Sequence, residues 1–320
     1  MPHAPEPRDA VALRAGGAAP LERDVIRVVG PDAERYLQGQ LSADLGQLAP
    51  EEGAWSLLLE PTGKLGWWVR VSRFAADEFV IDVDAGRGPE VLARLQRFLL
   101  RTDATLTLAE PEEWVCIAVR GPIQVELDHV SGATVLTLPS PWPGLIGWDI
   151  LAPTSAHVSI DTPMFDASAL EVVRVECGVP RIGAEITDGT IPAEVGQWFI
   201  DASVSFTKGC YTGQELVARI DSRGGNAPRR LRAVAAETPV AVGDTVSVDG
   251  EIMGTLSSAA VSPTRGPLGL SMLPRSVEPG VAVTVHDGAG VAKGTGVVTE
   301  LPVIDDLGVD GSVVSVEFGA

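Results

Sequence analysis

The chain has 320 residues, 45% of them hydrophobic and 21% charged, enough for about two domains with a sizeable buried core. Its 24 lysines and arginines against 43 aspartates and glutamates leave a net charge of −19, which opposes sequence-independent binding to nucleic acid or to anionic membranes. Cys116, Cys177 and Cys210 are far apart, and His3, His129, His157 and His286 are equally scattered, so a disulfide scaffold and a closed four-thiolate centre are excluded and no metal site is expected. No apolar run approaches the ~18 residues of a membrane span, and the start lacks a signal-type apolar core. The expectation is a cytoplasmic, reducing setting with no nucleic-acid and no membrane partner.

Residues 1–23 read as a loose tail, rich in Pro, Ala and Gly and without periodicity. A β-branched run follows, Val25 to Val29, then the turn Gly30-Pro31 and helical spacing at Ala33, Tyr36, Leu37 and Leu41. Strands are predicted over 54–59, 65–72 and around Phe79, Ile81 and Val83. Pro89 opens a helix with the stripe Val91, Leu92, Leu95, Phe98 and Leu99, and Arg94, Arg97 and Arg101 on or near its polar side. Val115 to Val119 before Gly121-Pro122, with Ile123, Leu127 and Val130 at helical intervals, echoes the first strand–turn–helix unit and suggests a duplicated α+β body. Another helix is predicted from Ala167 to about Cys177, stopped by Gly178 and Pro180. Beyond about Asn226 short β-branched runs alternate with Gly-containing turns, the pattern of a small antiparallel barrel or sandwich. Gly288 to Gly294 lacks the spacing of a phosphate loop and fits a hairpin there.

The most informative stretch is Ser205 to Ile220. Thr212 followed by Glu215 has capping-box spacing ahead of the apolar Leu216, Val217 and Ile220, so a helix is predicted with Cys210 and Tyr211 just outside its N-terminus. Free amide donors, the positive end of the helix dipole and Lys208 favour a thiolate at Cys210, while Gly209 lets the backbone approach a ligand closely. The same pattern also describes a well-capped helix start with an inert, buried cysteine. Cys116, inside an apolar strand, and Cys177, before Gly178-Val179-Pro180, read as packing.

Lys208-Gly209-Cys210-Tyr211-Thr212-Gly213-Gln214-Glu215, continued by Ala218-Arg219, resembles the signature of the YgfZ-type folate-binding proteins, relatives of the glycine-cleavage T-protein, an aminomethyltransferase. Gly30 to Ala33 with Tyr36 to Leu41 resembles that family's opening helix. Arg174 to Glu176, Gly178 to Arg181, Gly183 to Glu185 and Thr190 to Glu194 resemble its middle blocks, and Gly254 to Pro263 its C-terminal domain. The resemblance spans about Asp24 to Pro279. It implies an α+β fold: a duplicated α/β body of the glycine-cleavage T-protein folate-binding type over 24–228, in two lobes, and a small C-terminal antiparallel β-barrel over 229–320. It also implies tetrahydrofolate as cofactor, and a role with iron–sulfur client or assembly proteins. On this basis Cys210 is the candidate reactive thiol. Lys208, Gly209, Tyr211, Gln214, Glu215, Arg219, Arg174, Glu176, Trp67 and Trp68 are the candidate folate contacts.

Gly63 to Val69 is where the aminomethyltransferases keep an assisting aspartate, and here it holds Trp67-Trp68 and no carboxylate. A Trp can neither take a proton nor stabilise a cationic one-carbon unit as a carboxylate does, which speaks against conventional aminomethyl transfer. Neighbours on a strand point to opposite faces, so one ring can stack on a pterin while the other packs, or both can be structural. Pro141-Trp142-Pro143 reads as a rigid loop anchor, and a cap or loop contact accounts for Asp44. Residues 201–240 carry six cations against four carboxylates, +2, on a remainder of −21. Some of those arginines, Arg219 first, suit the glutamate tail of folate, or they are solvated charges of a linker. Three functions follow: a folate-binding accessory protein for iron–sulfur enzymes, a folate-dependent aminomethyl- or methyltransferase, or a non-catalytic scaffold.

Overall fold

The computed structural model describes residues 7–123, 127–128, 132–222 and 226–304. The Pro/Ala-rich start expected as a loose tail is instead α1 (Pro7–Gly16) and β1 (Gly17–Pro20). Ala10, Leu13 and Arg14 fall at helical spacing and are all buried, an inward face that the short Ala-rich segment concealed. The first sheet takes β2 (Arg23–Val29), then α2 (Ala33–Gln40), β3 (Gly53–Leu59), β4 (Leu65–Ala75), β5 (Glu78–Asp84), α3 (Gly88–Gln96) and β6 (Thr105–Leu108). Its strand order is β3-β4-β5-β2-β6, every pair antiparallel. α3 stops at Gln96, so Phe98 is exposed rather than part of the buried stripe. Arg94, expected on the polar side, is buried and donates to the Leu59 carbonyl at 2.9 Å.

The second sheet comprises β7 (Trp114–Arg120), β9 (Leu136–Pro139) and β10 (Gly147–Pro153), with β1 annealed to β7 in the order β1-β7-β10-β9. Of the helix expected from Ile123 to Val130, only Ile123 and Leu127–Asp128 are described, and the latter are not helical. Leu127–Asp128 is a short strand, β8, paired with β11 (Ser159–Ile160); residues 124–126 and 129–131 lie outside the described residues. Backbone pairing to β11 outweighed a weak helical periodicity. The two sheets meet through Val25, Val80, Cys116, Leu136, Leu138 and Leu151. Trp142 is buried with the Arg120 guanidinium 4.1 Å above its ring, the anchored loop its prolines suggested.

α4 (Ala167–Cys177) matches its predicted bounds and ends at Gly178 in the left-handed conformation. Short helices α5 (Pro192–Val195), α6 (Gln197–Ser203) and α7 (Gln214–Asp221) follow. The chain then closes an antiparallel six-stranded barrel from β12 (Arg229–Ala236), β13 (Thr245–Val248), β14 (Glu251–Ser262), β15 (Gly266–Pro274), β16 (Ala282–His286) and β17 (Ala292–Thr299), ordered β12-β15-β14-β13-β16-β17. Val234, Val246, Leu256, Leu273, Val283, Val285 and Val298 fill it. The Gly288 to Gly294 stretch lies in the hairpin between β16 and β17.

Candidate functional site

The site is built on the turn between β3 and β4. α7 begins one residue later than its capping-box spacing implies, because Gly213 and not Thr212 is the N-cap. Gly213 has φ +81°, and a Cβ there would lie 2.5 Å from the Glu60 carbonyl, so the turn seats the helix start against bare backbone. The hydroxyl of Thr212 instead faces the Gly39 carbonyl at 3.5 Å. Gln214 supplies the return bond, its Oε1 accepting from the Tyr211 amide at 3.1 Å.

Cys210 and Gly209 are solvent-exposed, ahead of this helix start. A Cβ at Gly209 would meet nothing within 4 Å. Tyr211 is buried, and burial pushes its phenol up to about 12. Glu215 and Arg219 are exposed on α7. Lys208 is half-buried, and desolvation pulls its ammonium down to about 8 against the opposing pull of Asp44.

Across the same turn lies a cleft of about 680 Å³. One wall is the start of β4, with Glu60, Lys64, Leu65, Gly66 and Trp67; the other is the loop from Ile182 to Gly189; Arg87 and Glu90 complete it. The loop is held by Leu65, whose amide donates to Thr190 O at 2.8 Å, and by the Ile182 amide, which donates to Asp84 Oδ2 at 3.1 Å. Trp67 is half-buried and lines the cleft. Trp68 points the other way, stacked on Trp55 with centroids 4.1 Å apart and donating to Ser203 Oγ at 2.9 Å. The two rings therefore divide as strand geometry demands. Strand β4 carries no carboxylate beside them, yet the fold brings Glu60, Glu90 and Asp188 to the cleft from elsewhere.

The remaining candidates sit apart from this cleft. Arg174 is buried, paired with Glu171 at 2.9 Å and Glu185 at 3.3 Å, and donates to Ser258 Oγ at 2.6 Å. Glu176 is buried, pairs with Arg14 at 3.2 Å and accepts from Ser262 Oγ at 2.6 Å. Both thus weld α4 to β14, and every charge faces a partner of the opposite sign or a hydroxyl. In the basic stretch, Arg229 forks onto Glu194 at 2.8 and 2.9 Å and Arg230 donates to the Ala193 carbonyl, so these arginines pin α5 to the barrel. Arg223 lies outside the described residues. Sequence reasoning missed Arg87, Glu90 and the loop from Ile182 to Gly189. Two glycines six residues apart, Gly183 and Gly189, were the one local signal of a backbone-lined wall.

No family model matches the chain. It is 30% identical over 227 residues to the tRNA-modifying protein YgfZ of Edwardsiella ictaluri, a match covering 63% of this chain and 65% of that one. It is 28% identical over 228 residues to the mitochondrial iron–sulfur cluster assembly factor IBA57 homolog of Neurospora crassa, covering 66% of this chain and 52% of the other. Both relatives are thus spanned over less than two thirds of their length. The crystal structure of the glycine cleavage system aminomethyltransferase T from Bartonella henselae superposes with a TM-score of 0.71 at 18% identity, over 93% of this chain and 89% of that one. In sequence the chain is thus similar to YgfZ and IBA57 proteins, and its fold is that of the glycine-cleavage T-protein. The expected α+β body with its C-terminal barrel is the T-protein fold.

Proposed function

We propose that this protein binds tetrahydrofolate in the Trp67 cleft and serves iron–sulfur enzymes or their assembly, with Cys210 as its reactive thiol. The observation that carries the reading is spatial: the helix behind Cys210 is seated on the same turn that supplies Glu60 and Lys64 to the cleft. The cleft's volume suits a ligand of folate size, with one aromatic face for a planar ring and polar groups of both signs around it. Trp67 would stack on the pterin, the three carboxylates would take its ring N–H donors, and Lys64 and Arg87 would meet the glutamate carboxylates. Bound there, the folate would supply a one-carbon carrier. A free, exposed thiol suits a reducing compartment such as the cytoplasm.

Anaerobic calorimetry with tetrahydrofolate tests this, comparing the native protein with Trp67→Ala. Loss of one aromatic stacking partner should weaken binding about tenfold, on the order of 1.4 kcal/mol. No binding to the native protein, or equal binding to both, overturns the assignment. The carboxylates in the cleft support a second reading, a folate-dependent aminomethyl- or methyltransferase. Folate-dependent methylene release from a glycine-derived donor, abolished by Asp188→Asn or Glu60→Gln, would establish it.

A further inference from the structure

Lys208 Nζ lies 2.8, 2.7 and 2.6 Å from the carbonyl oxygens of Gln38, Leu41 and Ala43. An ammonium has three N–H donors and no acceptor, so all three are used. The carbonyls belong to the end of α2 and the chain just beyond it, where a helix leaves C=O groups unpaired and its dipole is negative. Asp44 is the carboxylate that acts on this ammonium, and it is itself held by Gln38 Nε2 at 2.7 Å and the Gly46 amide at 3.2 Å. The ring of Tyr211 lies 5.3 Å from Nζ. Backbone bonds flank the contact on either side: the Ser205 amide to Ser42 O at 2.9 Å and the Thr212 amide to Gly39 O at 3.1 Å. Between these two anchors Phe206, Thr207, Gly209 and Cys210 are exposed. Between the anchors, the Lys208 side chain reaches back to the end of α2.

We propose that Lys208 is a positioning residue, a latch that holds the Cys210 loop on the end of α2 and acts on the thiol through loop position rather than through charge. Its positive charge is met by the negative helix end and by Asp44, which leaves little field for the sulfur next along the chain. The consequence for reactivity rests on Cys210 being the reactive thiol. The latch itself can be measured without folate and without any activity, so the two fail separately.

The chain has three lysines, Lys64, Lys208 and Lys293, and Lys64 is exposed. With an amine-acylating reagent on the native protein, the limiting high-pH rate at Lys208 should be at least tenfold below that at Lys64; equal limiting rates overturn the latch. In Lys208→Met, amide hydrogen exchange at Ser205 and Thr212 should quicken at least tenfold. The pH midpoint of Cys210 alkylation by iodoacetamide should stay where it is in the native protein while the limiting rate changes. Lys208→Arg keeps the charge but offers a planar fork to three converging carbonyls, so it should loosen the same amides. A rise of about one pH unit in the alkylation midpoint of Lys208→Met, reversed in Lys208→Arg and with exchange unchanged, would make Lys208 an electrostatic activator instead.

Discussion

Cys116 packs against a cation, Cys210 follows one by two residues in the chain, and their settings are opposite. Cys116 lies between the sheets, 3.9 Å from Arg70 Nη2, among Arg23, Arg70, Arg120, Asp82 and Asp149. Arg70 and Asp82 are 1% and 0% exposed, and Arg70 bridges the sheets by pairing with Asp82 at 2.9 Å and Asp149 at 2.8 Å. Despite those arginines, burial pushes the Cys116 thiol up to about 12. In the Cys210 loop the nearby cation is spent on carbonyls and the sulfur is open to water. Proximity to a positive charge does not make a reactive thiol. Desolvation outweighs an arginine that already serves carboxylates, whereas an exposed sulfur escapes that desolvation.

The sharpest way to break this contrast is thiol labelling. A neutral alkylating reagent should modify one thiol, Cys210, in the folded protein and all three after denaturation. Rapid native labelling of Cys116 would mean that the inter-sheet cluster opens. Next in size is Asp149→Ala, which leaves buried Arg120 without a carboxylate and Arg70 with Asp82 alone, and should cost about 3–5 kcal/mol in a urea titration. The same carboxyl carries a pH signature. Burial alone would raise it, but Arg120 and then Arg70 outweigh that and hold it below the ordinary aspartate range. Its contribution is present above the unfolded value of about 3.9 and is lost as the pH falls towards the lower folded one. Acid denaturation should therefore steepen below about pH 4 in the native protein and lose that component in Asp149→Asn.

Two glycines four residues apart sharpen the comparison within the Cys loop itself. Gly213→Ala places a side chain at φ +81° and against the Glu60 carbonyl, and should cost about 1–3 kcal/mol in thermal unfolding. Gly209→Ala meets open space at a φ outside the left-handed region, so stability should shift by less than about 1 kcal/mol, in the stabilising direction. If that variant also loses folate binding or client activation, Gly209 serves what docks on the loop; if it loses stability like Gly213→Ala, the loop is a structural element and no more.

Much of the site was legible along the chain because it is local. The Cys loop needs only Lys208 to Glu215 and a helix start, and α4 shows its own stripe and its own glycine stop. Arg174 and Glu176 were legible for the same reason, but their partners were not. A charged residue in a helix announces that it needs partners, but only the packed barrel shows that those partners are Ser258, Ser262 and Glu185. The terminal segment was misread because eight or nine small residues bury too little to reveal a face until α4 lies against them.

Taken alone, local periodicity and turn chemistry determined a mixed α+β body followed by an all-β segment, the helix behind Cys210 and the opposed faces of Trp67 and Trp68, while the choice of a barrel over a sandwich came from the resemblance. The tertiary structure alone decided which polar residues face solvent. It buried five charged groups between two sheets, turned Lys208 onto the end of α2 and carried Arg87 and the loop from Ile182 to Gly189 to the mouth of Trp67. Those outcomes depend on segments tens to hundreds of residues apart becoming neighbours, and long-range electrostatic pairing leaves no period in the chain.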